Sequence, residues 1–134
     1  MKLTRQEEIS LLIAAELASQ EGKRLSLLDI GALHGISSAY LKKIIRMLKT
    51  ASIVESKEGI GGGYILTKHP REITVLQILQ AVGATKEMVP NTASRLCPLL
   101  PECLPQRIRQ QIEQVFLTYC ENVTLDQLVK KGNL

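Results

Sequence analysis

The sequence predicts a mainly α fold with one small β-hairpin set into its middle, on three observations. Ser26 with Asp29, Thr74 with Gln77 and Thr124 with Gln127 each set a capping side chain three positions before a reciprocal partner, the local chemistry of a helix start. Apolar residues recur at helical spacing through most of the chain, but the run ESKEGIGGGYILT at 55–67 places four glycines between two short apolar segments. Hydrophobic residues make up 45% of the 134 positions and aromatics only 3%, so the core must be aliphatic.

The first helix is expected over residues 4–20, where Ile9, Leu12, Ile13, Glu16 and Leu17 fall at helical spacing. Its second half is apolar nearly all round, which implies burial. After GKR, Ser26 opens a second helix, with Leu25 and Ile30 at the staple positions and a stop near Gly35. A third begins at Ser37 or Ser38 and runs to about Thr50. Leu41, Ile44, Ile45 and Leu48 form one stripe on it, Lys42, Arg46 and Lys49 lie on another side, and Lys43 stands beside them. Segments 53–56 and 64–67 are the hairpin strands. Thr74 opens a fourth helix, stapled by Ile73 and Ile78 and ended by Gly83. From 84 to 104 no period holds and Pro90, Pro98 and Pro101 intervene, a stretch that is functional or disordered. A long helix follows with Pro105 in its first turn and Ile108, Ile112, Val115, Phe116 and Tyr119 as its apolar stripe, suited to a partner helix or to its own core. Val123 and Leu128 staple a short terminal helix.

What the glycines serve depends on their context. A phosphate-cradling loop would open a helix and end in Gly-Lys-Ser/Thr, whereas this one ends in Gly-Tyr-Ile-Leu and opens a strand. A flexible turn remains, or a wing: a hairpin that follows a helix–turn–helix and brings its backbone close to nucleic acid. The stretch DIGALHGISSAYLKKIIRML favours the wing, because a small residue early in the second helix and Gly35 in the turn let two helices cross closely. Ser37, Ser38 and Tyr40 are then candidates for phosphate or base-edge bonds, and Lys42, Lys43 and Arg46 for phosphate or guanine. Lys57, Gly59 and Gly61 are the wing candidates, with Lys2 and Arg5 at the chain start added to the DNA-binding set. Residues 1–71 hold 11 Lys/Arg against 7 Asp/Glu and residues 72–134 hold 6 of each, so the whole net charge of +4 lies in the half that would face a polyanion.

The motifs MKLT, ISSAYLKKIIRMLK, GGGYILTKHPREITVLQILQAV and NVTLDQLV, with a cysteine pair between the last two, resemble the IscR/NsrR/CymR-type winged helix-turn-helix transcriptional regulators. These bacterial factors include the iron–sulfur cluster regulator, the nitrite-sensitive repressor and the cysteine-metabolism repressor. The resemblance covers nearly the whole chain. It implies a winged helix-turn-helix at 1–83, a cysteine-containing sensor loop at 84–104, and a dimerisation helix with a terminal helix at 105–134. It further implies a homodimer on a roughly palindromic double-stranded DNA operator. Cys97 and Cys103 match two of the three loop cysteines that hold an iron–sulfur cluster in some members, 2Fe-2S or 4Fe-4S, and Glu8 falls where others place an acidic ligand. Asn91 stands in place of the first cysteine, Gln106 in place of a histidine, and Cys120 has no counterpart. Glu58 occupies a wing position where members often carry arginine, and Lys42 replaces an acidic residue, so the operator sequence does not transfer.

Two thiolates and one carboxylate fall short of the four ligands such clusters usually take, which leaves a cluster completed by the other subunit, a metal-free reactive thiol pair, or buried cysteines. Zinc is disfavoured because neither His34 nor His69 belongs to the loop. The function expected is a DNA-binding regulator, a repressor, sensing iron–sulfur, redox or small-molecule state. The alternative is a winged-helix module for protein partners with redox thiols and no cluster. No nucleophile–base constellation points to an enzyme. The longest apolar run, 11–15, is too short to span a bilayer, and MKLTRQEE lacks the apolar segment of a secretory signal, so a cytoplasmic location is expected.

Overall fold

The computed structural model describes residues 3–83 and 104–131. Its elements are α1 (Arg5–Ser19), α2 (Leu27–His34), α3 (Ser38–Thr50), β1 (Val54–Lys57), β2 (Gly63–Leu66), a 3₁₀ turn (Pro70–Glu72), α4 (Val75–Ala81), α5 (Leu104–Asn122) and α6 (Leu125–Lys131). The expected sites at Lys2, Asn91, Cys97 and Cys103 lie outside the described residues.

Local capping chemistry sets most of these boundaries. Thr4 and Glu7, Ser26 and Asp29, and Thr74 and Gln77 form reciprocal boxes in which each side chain accepts from the other residue's backbone N–H. Two of a helix's four orphan donors are satisfied each time. At the 3₁₀ turn, an element the sequence does not predict, the Glu72 side chain accepts from the His69 N–H and His69 Nδ1 accepts from the Arg71 N–H, both at 3.2 Å. Gly35 ends α2 at φ 64°, the left-handed cap that a side chain would strain.

The core is aliphatic. Ile13, Ala14, Ile30, Leu41, Ile44, Leu48 and Ile78 are fully buried, so α1, α2, α3 and α4 close on one another. Burying each large aliphatic side chain contributes on the order of 1.5–3 kcal/mol. Leu125 of α6 sits in this same cluster, so the C-terminal helix returns to the N-terminal one. Backbone bonds fix that return: Val75 N–H donates to the Val123 carbonyl at 3.0 Å and Leu125 N–H to the Ile73 carbonyl at 2.8 Å. A second cluster of Val75, Leu79 and Cys120, with Phe116 against it, seats α5 on α4.

The hairpin pairs antiparallel from Val54 with Leu66 to Lys57 with Gly63, with β1 running to 57 and β2 beginning at 63 rather than 64. Gly63 enters the strand as the partner of Lys57, and the next residue meets a third, one-residue strand: Leu25 bridges Tyr64 through bonds of 3.1 and 2.8 Å. A Cβ on Gly63 (φ 133°) would stand 2.7 Å from the Leu25 carbonyl oxygen, so only glycine permits this approach. The base of the hairpin is tied to the end of α3, where Thr67 Oγ1 donates to the carbonyls of Ser52 and Ile53 at 2.6 and 3.2 Å.

Candidate nucleic-acid interface

α3 separates its side chains by chemistry. Leu41, Ile44, Ile45 and Leu48 are buried, while Lys42, Lys43, Arg46 and Lys49 are exposed. At 3.6 residues per turn, positions 42, 46 and 49 align on one ridge. The start of the helix is equally open: Ser37 and Ser38 are exposed, and Ser37 Oγ accepts from the Tyr40 N–H at 3.3 Å. α2 comes close to that start because Gly31 is bare. A Cβ there would stand 3.0 Å from the Ile36 carbonyl oxygen and 3.4 Å from Leu41 Cδ1.

Arg5 joins this end from α1. Its guanidinium lies 5.9 Å from the Tyr40 ring centroid, at the reach of a cation–π contact. The stack leaves Arg5 exposed and holds the half-buried Tyr40 ring in place. α1 is also fixed to α2 by Glu16 and His34, whose Oε1 and Nε2 are 2.9 Å apart, and to α4 by Gln6, whose Nε2 donates to the Val82 carbonyl.

The hairpin stands beside the ridge. Lys49 Nζ donates to Ser56 Oγ at 2.8 Å, linking α3 to β1. Between helix and hairpin lies a groove of about 590 Å³ lined by Lys42, Ile45, Arg46, Lys49, Thr50 and Tyr64. Three cations around a partly apolar floor suit a polyanionic backbone. Lys49, Thr50 and Tyr64 were not in the predicted site; Lys49 was legible, standing seven positions after Lys42, whereas Tyr64 enters only through the hairpin's placement. At the wing, Lys57, Gly59 and Gly61 are exposed, and Glu55 and Glu58 are exposed with them. The cationic surface is therefore the helix ridge, with little contribution from the wing.

The predicted ligand Glu8 is exposed in the first turn of α1. Cys120 is buried against Val75 and Leu79, and burial pushes its thiol up from the ordinary value. A protonated, enclosed thiol packs rather than ligates. Among the described residues, no group of three or more His, Cys, Asp or Glu side chains could hold a metal ion. The Asp29 carboxyl is held below the usual carboxylate range, first by the Ser26 side-chain hydrogen bond and then by the Ser26 backbone, which is its capping role. No helix among the described residues is long and apolar enough to cross a membrane.

A family model described as Rrf2, iron-dependent transcriptional regulator, matches residues 3–131. The chain belongs to the Rrf2 family. It is 31% identical over 121 residues to the HTH-type transcriptional regulator IscR of Pectobacterium atrosepticum, covering 90% of this chain and 73% of that protein. With IscR of Serratia proteamaculans it shares 30% over 126 residues, 94% of this chain and 76% of the relative. Among solved structures, CymR, the global cysteine regulator of B. subtilis, superposes with a TM-score of 0.81 at 25% identity over 98% of both chains. IscR of T. potens gives 0.71 at 26% identity, covering 98% of this chain and 88% of that one. The mainly α winged-helix architecture is that of these Rrf2 regulators. As a family member the chain is a DNA-binding transcriptional regulator, not an enzyme.

Proposed function

We propose that the chain is a homodimeric repressor whose two α3 helices occupy successive major grooves of an operator, with the wings toward the minor groove. The reading is carried by the α3 ridge, where Lys42, Lys43, Arg46 and Lys49 are exposed opposite a fully apolar stripe. A helix fits a major groove about 12 Å wide, and exposed cations on it reach phosphates and guanine edges. Candidate contacts are Arg5, Ser37, Ser38 and Tyr40 at the helix start, the ridge itself, Lys57, Gly59 and Gly61 on the wing, and Lys2 from the chain start.

Dimerisation is supported by α5. Ile108, Ile112, Val115 and Tyr119 are exposed along it, and of the predicted stripe only Phe116 turns into its own subunit. A second copy covering this face would form a two-fold interface and match a two-fold operator. In this arrangement residues 1–83 bind DNA and α5 pairs the subunits, while the terminal helix α6 packs back on the core of its own subunit.

The segment at 84–104, between these parts in the sequence, is assigned the sensing role through Cys97 and Cys103. The donor set does not fit an iron–sulfur cluster held by one chain. Two cysteines and the exposed Glu8 supply three donors where four are usual, and Cys120 is enclosed against Val75 and Leu79. A cluster therefore needs a donor from the second subunit; otherwise the segment acts through its thiols or a bound small molecule.

The operator reading is tested by binding to duplexes selected from a random pool, titrated against salt. Specific binding that weakens steeply with salt and falls on Lys43→Ala supports it. Absence of specific duplex affinity even at low salt overturns it and leaves a protein-interaction module. For the sensor, protein purified without oxygen is examined by visible spectroscopy: a brown chromophore lost on Cys97→Ala supports a cluster, and colourless, metal-free protein assigns sensing to thiols or a small molecule.

A further inference from the structure

The geometry points to Ile60 as an apolar reader of the minor groove, giving this wing a preference for A·T over G·C pairs beside the α3 site. The inference rests on the DNA-binding reading of α3 and names what the wing recognises. Ile60 is a large aliphatic side chain left wholly in solvent, at 106% relative exposure. It stands on a tight turn closed by a 3.0 Å bond from the Gly62 N–H to the Gly59 carbonyl. Ile60 takes the first corner and Gly61 the second, and the φ of 73° at Gly61 is what that corner requires. A Cβ on Gly62 would stand 2.8 Å from the Gly59 carbonyl oxygen, so the turn excludes a second side chain there. The tip is thus bare backbone carrying one aliphatic group.

Width and charge say what such a tip can meet. A minor groove about 6 Å wide does not admit a hairpin dressed with side chains, but it admits a single aliphatic group on a bare turn. The wing is a poor phosphate clamp, since Glu55 and Glu58 outnumber Lys57 and all three are exposed. Attraction to the backbone comes from the α3 ridge, to which Lys49 and Ser56 fasten the hairpin. The wing arrives with the helix, and what its tip adds is apolar contact with the sugar walls and groove floor. On that floor A·T and T·A expose only acceptors, whereas G·C adds the guanine 2-amino donor. Against Ile60 the amino group would be crowded and left without an acceptor. The readout separates A·T from G·C without distinguishing A·T from T·A.

The test uses the full chain and an operator selected from a random pool, with the flank facing the wing built from A·T, G·C or inosine·C pairs. Inosine removes the 2-amino group and keeps the major-groove edge of guanine. A·T and inosine·C flanks should bind alike and G·C roughly five- to tenfold more weakly, a difference that Ile60→Ala reduces to below about twofold. The inference is overturned if Ile60→Ala keeps the full discrimination, or if inosine·C behaves as G·C, which would place the effect at the major-groove edge that the two pairs share. It is also overturned if Ile60→Ala is silent on DNA but abolishes regulation in a reconstituted transcription reaction, since the tip would then meet a protein. Weakened operator binding with a shallower salt dependence on Arg46→Ala is the control; if that variant binds as wild type does, the α3 reading has failed instead.

Discussion

Removing the Arg46 guanidinium has a consequence that can be calculated. Arg46 is exposed on α3, lines the groove with Lys42 and Lys49, and has no acidic partner among the described residues. Alanine keeps the helix, standing at the top of the propensity scale, so the fold should survive Arg46→Ala. Each phosphate contact contributes about −0.9 to the slope of log affinity against log salt. A dimer loses two such contacts, so the slope becomes shallower by about 1.8. Between 50 and 200 mM salt, the wild-type loss of affinity should then exceed that of the variant by about twelvefold. Fluorescence anisotropy on a labelled operator across that range measures it. Lys130→Ala is the control, because Lys130 pairs with Asp126 at 3.0 Å on α6, away from the ridge, and its slope should match wild type. An Arg46→Ala slope equal to wild type would refute the assignment of the ridge to the phosphate backbone.

Val115→Asp should yield a folded monomer in sedimentation, because Val115 is 71% exposed within the subunit; a dimer of unchanged stability would remove α5 from the interface. Leu125→Ala should destabilise the N-terminal fold by about 2–5 kcal/mol in denaturant titration, since Leu125 is fully buried in the shared core. A loss confined to α6, with α1 to α4 unaffected, would contradict that shared core. Cys120 should resist thiol reagents in the native state and react on unfolding; rapid native labelling would contradict its burial. Its raised thiol value makes a contribution to stability that is complete below the ordinary thiol range and is lost as pH rises through the raised value, so Cys120→Ala should flatten the alkaline limb of the stability profile.

The helix starts were legible because capping is local. Thr4, Ser26, Ser37 and Thr74 each accept from a backbone N–H three residues on, and nothing distant decides it. The stripe of α3 was legible from period alone. What escaped the sequence depends on contacts across the fold. Gly63 and Tyr64 lie against Leu25, nearly 40 positions earlier in the chain, and a one-residue bridge leaves no pattern to read. Cys120 had no assignment until Val75 and Leu79 enclosed it. The stripe on α5 was ambiguous between core and partner, and the structure exposes all of it but Phe116. The groove needed both the helix and the hairpin, so Tyr64 could not be joined to Lys42 from spacing alone.

Lysine acetylation with and without an excess of operator duplex, read residue by residue by mass spectrometry, tests the central claim most directly. The account predicts strong protection of Lys42, Lys43 and Lys49 on α3, with Lys68 and Lys130 modified as fast as in the free protein. Equal modification of the α3 lysines in both states, while the duplex is demonstrably bound, would show that nucleic acid lies elsewhere on the molecule.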